Sequence, residues 1–218
     1  MSETIIRIND DGRVMVEKEI DGVRSFKQID PDTLVDCLNQ SMLRGAVSSG
    51  LLPKNCISFT ASDSGERNFC LLHPENKSNV SYVGTVYKDF PLPRLVFGFR
   101  ISKEGRIGSS RIGIIENADT LKPDTKMYAY PFSNVSGFRL CTGNNIFPSV
   151  KSLHTLSSIP YYILSMPNNN DQFKPENNKQ QLEMRDLFEL IKGKPPEFYY
   201  SDNLIPSGAI LNNFILNN

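Results

Sequence analysis

The chain has 218 residues, with 24 basic and 24 acidic side chains and a formal net charge of zero at neutral pH. That balance argues against a dedicated nucleic-acid binder, which carries a basic surplus. No apolar run approaches the roughly 18 residues a membrane helix needs, and the length suits one sizeable domain with a small appendage.

The opening stretch MSETIIRINDDGR has acidic residues and no apolar core of signal-peptide length, so a cytoplasmic location is expected. The segments TIIRIN, RVMVEKEI and VRSFKQI are rich in β-branched residues, and DDG and DG between them supply the positive φ of tight turns. A β-meander is expected. A helix follows in DPDTLVDCLNQSMLRG, with Asp30 as cap, Pro31 in the first turn and Gly45 at the end. Leu34, Leu38 and Met42 recur on one face, and Cys37 is expected to pack.

From Asn55 to Glu116 the chain reads as strands: CISFTA, NFCLLH, SYVGTVY, RLVFGFRI and SRIGIIE, separated by turn clusters such as SDSGE and SKEG. Consecutive strands with short turns predict an antiparallel sheet. SVKSLHTLSSIPYYILSM reads as a helix that Pro160 must kink or split. KQQLEMRDLFELIKGK reads as an amphipathic helix with Leu182, Leu187, Leu190 and Ile191 on one face and Gly193 beyond it. Strands first and helices after make the fold class α+β. Residues 1–54 are expected to form a meander plus helix packed on a main domain of residues 55–218.

The four cysteines, Cys37, Cys56, Cys70 and Cys141, are scattered, and no CxxC pair occurs, so reduced thiols and no bound metal or cofactor are expected. GRIGSSRIG lacks the spacing of a phosphate loop. It reads as a hairpin with solvated arginines, made basic by Arg100, Lys103, Arg106 and Arg111, with docking of an acidic partner as a minor reading. His73 and His154 stand far apart without partners and read as structural. Neither GxSxG nor HExxH occurs.

That leaves Cys141, in YPFSNVSGFRLCTGNN. Cysteine is ordinarily a buried small hydrophobe. Here it follows Pro131, Ser133, Asn134, Ser136 and Gly137 and precedes Thr142, Gly143, Asn144 and Asn145. An irregular segment of this kind brings backbone amides close to a ligand, and Asn134 can present a side-chain N–H to an oxyanion.

From Tyr87 to Leu190 the chain resembles the ubiquitin-conjugating enzyme superfamily. YKDFPLPRLVF resembles the Pro-rich entry into a sheet strand. FSNVSGFRLC resembles the His-Pro-Asn, turn, glycine and catalytic cysteine of that family, and FPSVKSLHTLSSIPYYILSMPNNNDQF resembles the segment that follows. More narrowly, the chain resembles the branch called prokaryotic ubiquitin-conjugating-enzyme-like family D, or PRTRC system protein B. The matching positions are Pro131, Asn134, Val135, Gly137, Cys141 and Gly143. Phe132 and Ser133 stand where the family has histidine and proline, and the family's tryptophan is absent because the chain has none.

The resemblance implies an antiparallel sheet packed by helices. It implies that Cys141 accepts a ubiquitin-like C-terminus as a thioester and passes it to an amine, with Asn134 as oxyanion donor. Tyr128 or Tyr130 would position the acceptor. The implied partners are a ubiquitin-like protein, an activating-enzyme-like protein and a JAB-type peptidase. Cysteine is the nucleophile least dependent on a base, since a few per cent is thiolate at neutral pH. On this reading Cys141 should be accessible and Cys37, Cys56 and Cys70 more buried. The alternatives are a catalytically inactive binding module in a plasmid or mobile-element system, and a structural or plasmid-maintenance protein that retained the fold.

Overall fold

The computed structural model describes residues 3–20, 22–43, 49–62 and 64–216, and the chain divides into two compact units, residues 1–49 and 50–218. Gly45, expected to end the first helix, lies outside the described residues.

In the first unit, β1 (Glu3–Ile8), β2 (Val14–Ile20) and β3 (Val23–Ile29) form the expected antiparallel meander. Glu17 is buried on β2 beside Arg7, at 2.7 Å, and Arg24, at 3.6 Å. The helix α1 (Pro31–Leu43) starts at Asp30, whose carboxylate accepts from the Thr33 amide at 2.8 Å and the Thr33 hydroxyl at 2.6 Å. Those bonds satisfy an orphan amide of the first turn and hold the Asp30 carboxyl below its usual range. Cys37 was expected to pack; it is exposed instead, as are its neighbours Val35 and Leu38.

The second unit is built on an antiparallel sheet. Its central ladder runs β4 (Cys56–Ala61), β5 (Arg67–His73), β8 (Leu95–Ile101), β9 (Ile107–Ile115). Between β5 and β8 the chain makes a separate hairpin, β6 (Asn76–Tyr82) and β7 (Thr85–Leu92). The stretch SYVGTVY, read above as one strand, is the turn of this hairpin: Val83 and Gly84 both have positive φ, 40° and 77°. Beyond β9, β10 (Lys126–Tyr128) pairs with β9 and with the late strand β13 (Pro206–Ile210). The two-residue strands β11 (Val135–Ser136) and β12 (Arg139–Leu140) extend the same edge. With antiparallel ladders and helices gathered towards the C-terminal half, the α+β expectation holds.

The helices α2 (Leu153–Leu164) and α3 (Met184–Ile191) cover one sheet face and α4 (Leu211–Leu216) the other. The alternation of β8 dictates this layering. Leu95, Phe97, Phe99 and Ile101 point into a core shared with Leu156 and Ile159 of α2 and Leu187 and Phe188 of α3. Val96 points the other way, with Cys70, Ile115 and Met127, under Leu211 and Phe214. Phe188 is the hub of an aromatic cluster. Its ring lies 4.9 Å from Phe90, 5.0 Å from Tyr87, 5.3 Å from Phe132 and 5.6 Å from Tyr82, so Phe188→Ala should cost about 3–5 kcal/mol.

Of the kink or split expected at Pro160, the split does not occur, and the second helix begins later than expected. α2 runs through Pro160 without splitting; Ile159 and Pro160 are buried, and that packing offsets the missing amide. α3 begins only at Met184, because the buried side chain of Asn178 closes the preceding turn: its amide donates to the Pro175 and Leu182 carbonyls, and its oxygen accepts from the Leu182 amide.

Candidate active site

Cys141 is carried by a short hairpin. β11 and β12 are joined by Gly137 and Phe138, whose φ values of 51° and 71° define a tight turn of the kind that matches strand twist. Phenylalanine is unfavourable at positive φ, and packing holds it there. Its ring sits edge-on to Phe214 at 5.6 Å, and the Arg111 guanidinium lies over both rings. Arg111 also donates to the Phe214 carbonyl at 2.9 Å. It is therefore half-buried and engaged, not the solvated arginine read from GRIGSSRIG. Gly113 makes room for this clamp, since an added Cβ would meet Met127 Cε at 2.6 Å and Phe138 Cδ1 at 3.0 Å.

At the open end of the hairpin, the Cys141 amide donates to the Asn134 carbonyl at 2.7 Å. The hairpin thus brings together the two residues singled out in the sequence. Cys141 is exposed and Asn134 half-buried. Both line a small cavity of about 40 Å³ walled by Phe132, Leu140, Ile163 and Met166. Tyr130 lines it too, and burial raises its phenol above the ordinary range. Tyr128 does not line it; its ring packs 5.8 Å from Tyr200.

Asn134 has φ 64°, a conformation asparagine tolerates. The loop Pro167–Gln172 holds it there. The Asn134 amide N–H donates to the Asp171 carbonyl at 2.8 Å. Its side-chain amide donates to Ser133 Oγ at 3.2 Å, and Ser133 donates onward to Asn168 Oδ1 at 2.9 Å. Asn168 is tied by its own amide to the Ser81 carbonyl at 2.7 Å, and Asn170 accepts from the Tyr82 hydroxyl. One of the two side-chain N–H bonds of Asn134 is thereby used for orientation, which leaves the other for a ligand oxygen. Asn168 and Asp171 were not picked out in the sequence, and Ser133 was read only as a turn residue standing where the family has proline. The available signal was the run PNNND, whose side chains favour closing turns.

Cys141 also borders a groove of about 880 Å³. One wall is Ile107–Ser110 of β9, and the other is Arg139–Gly143. The basic hairpin is thus part of the site, through Arg106 and its glycine and serines. Arg100 is not; it makes a bidentate pair with Glu66 at 3.0 Å.

The other cysteines separate partly as expected. Cys70 is buried, and burial with the nearby Cys56 pushes its thiol up to about 12. Cys56 is half-buried, with burial raising its thiol. Cys37 departs from the expectation, being exposed like Cys141. Among the described residues no cluster of three or more histidine, cysteine or carboxylate side chains could hold a metal ion. No helix there is long and apolar enough to cross a membrane. No protein-family model, curated protein or solved structure matches the chain.

Proposed function

We propose that the second unit is a ubiquitin-conjugating-like domain of the family D or PRTRC system protein B type, and that Cys141 is an acyl-carrying nucleophile. The observation that carries this reading is the pairing of an exposed Cys141 with Asn134 across one small cavity at the edge of an open groove. The thiolate of Cys141 attacks the carbonyl carbon of a ubiquitin-like C-terminus held as a thioester on an activating-enzyme-like protein. A new C–S bond forms, and the activating protein's thiolate leaves. An amine then attacks the carrier thioester, the C–N bond forms, Cys141 departs as thiolate and the ammonium proton passes to solvent. The free N–H of Asn134 meets the oxyanion of that step.

The test is incubation with a ubiquitin-like protein and its activating-enzyme-like protein, the partners the resemblance implies, plus ATP. The expected product is a thiol-reversible adduct, lost in Cys141→Ala and converted to a thiol-resistant ester in Cys141→Ser. If wild-type protein never forms it, the acyl-transfer reading is overturned. The engagement of the Asn134 amide by Ser133 favours a second reading, an inactive module that binds a ubiquitin-like partner. Stable binding with no adduct would select it.

A further inference from the structure

We infer that Arg111 is a positioning residue for Cys141, and that through it the seating of α4 sets the geometry of the hairpin carrying the thiol. The effect on acyl transfer rests on the reading of Cys141 as an acyl acceptor; the coupling itself does not.

The hairpin is held at both ends. At the open end the Asn134 amide is bonded to the Asp171 carbonyl at 2.8 Å. At the turn end Phe138 has φ 71°, a backbone conformation that favours glycine over phenylalanine. There the Ile112 amide donates to the Phe138 carbonyl at 2.9 Å, and Arg111 pairs with Arg139. The Phe138 ring is the handle on this turn, and Arg111 and Phe214 grip it.

Arg111 is a costly residue for that place. It is half-buried, burial disfavours its charge, and it makes no ion pair among the described residues. A leucine or methionine would fill the space without desolvating a charge. The guanidinium adds a flat cation over two rings, 5.9 Å from the Phe138 centroid and 4.6 Å from that of Phe214. It also donates to the Phe214 carbonyl at 2.9 Å, in the last turn of α4, where carbonyls lack intrahelical partners.

α4 has six residues, too few for a helix to stand alone. Its start is tied by the Leu211 amide to the Thr125 carbonyl at 2.8 Å and by the Asn212 amide to the Pro123 carbonyl at 2.9 Å. Its last turn is tied to Arg111. The contacts therefore run from α4 through Arg111 to Phe138, and Cys141 follows Phe138 on the same short hairpin. A misplacement of about 1 Å can slow a reaction about a hundredfold, so partial release of the turn should slow it about tenfold.

The experiment uses the full chain with Arg111→Met, Phe214→Leu, Phe138→Gly and the double variant Arg111→Met/Phe138→Gly. Two quantities are read: hydrogen exchange of the Ile112 and Cys141 amides relative to those of β8, and discharge of pre-charged Cys141 to an amine. Arg111→Met and Phe214→Leu should each raise hairpin exchange about tenfold beyond any change in β8 and slow discharge about tenfold. Arg111→Met should do nothing further once Phe138 is glycine, because the ring through which it acts is gone. Should Arg111→Met not fold, Arg111→Lys keeps the stem and charge, removes the planar fork and supplies the same comparison. A role in packing alone would raise exchange in β8 and the hairpin alike; an unchanged ratio with normal discharge overturns the inference while the acyl reading stands. Selective hairpin exchange in a protein that never forms a thioester sinks the acyl reading and keeps the coupling.

Discussion

The backbone amide of Cys141 donates to the backbone carbonyl of Asn134 at 2.7 Å, the last rung of the small hairpin between them. The proposed nucleophile and oxyanion donor are therefore fixed to each other by main chain, and their side chains project from one rigid unit. Proximity set by a backbone rung survives side-chain substitution, so the two roles can be deleted separately.

The first prediction uses that separation. Asn134→Gly keeps the positive φ that an alanine would strain and removes only the amide side chain. Loading of Cys141 should stay within a few-fold of wild type, and discharge to an amine should fall by about a hundredfold or more. Single-turnover kinetics with pre-charged protein read the two steps. Equal loss in both would assign Asn134 to positioning the hairpin.

A second prediction concerns the clamp on that hairpin. Gly113→Ala places a methyl against Met127 Cε and the Phe138 ring. The methionine end can move; the ring is held by Phe214 and Arg111. Overpacking of this kind costs about 1–3 kcal/mol, measurable by urea denaturation. The shift of Phe138 should also change the rate of Cys141 alkylation.

Much of the fold is legible in local chemistry. The glycine turns of the meander, the Asp30 cap and the strict alternation of β8 are each set by residues adjacent in sequence. Departures arise where distant residues decide. Val83 turns the chain although a β-branched residue at positive φ is unfavourable, because β6 and β7 pair on either side of it. The start of α3 depends on the side chain of Asn178. At the candidate site, the turn-rich segment singles out Asn134 and Cys141, and the structure places them on one backbone rung. Their supports were not legible there: Ser133 meets Asn168 across 35 positions.

The third prediction is a pH dependence. In the unfolded chain the Cys70 thiol ionises near its ordinary value of 9.0; in the folded protein burial delays this to about 12. Below pH 9 both states hold the proton and the contribution is complete. Between pH 9 and 12 the unfolded state gains by ionising, so stability falls as pH rises, by up to about 4 kcal/mol. Cys70→Ala leaves a small void and starts lower at neutral pH, but its denaturant midpoint should decline less over the same window. Parallel profiles for the two proteins would remove Cys70 as the cause, leaving Cys56, whose thiol is raised in the same direction.

The last prediction isolates Ser133. Its hydroxyl is buried at 2% exposure and joins three groups: it accepts from the Asn134 side chain and from the Asn169 amide at 3.3 Å, and it donates to Asn168. Ser133→Ala removes bonds to partners that are half-buried or exposed, which water can in part replace, and should cost about 1 kcal/mol. If Ser133 also aims the Asn134 amide, discharge should slow while loading persists, and the loss should vanish when Asn134 is already glycine. A double-mutant cycle on the discharge rate reads this directly. Non-additivity, with Ser133→Ala/Asn134→Gly no slower than Asn134→Gly alone, identifies Ser133 as a positioning residue acting through Asn134. Additive losses would assign it to the loop Pro167–Gln172 and its packing alone.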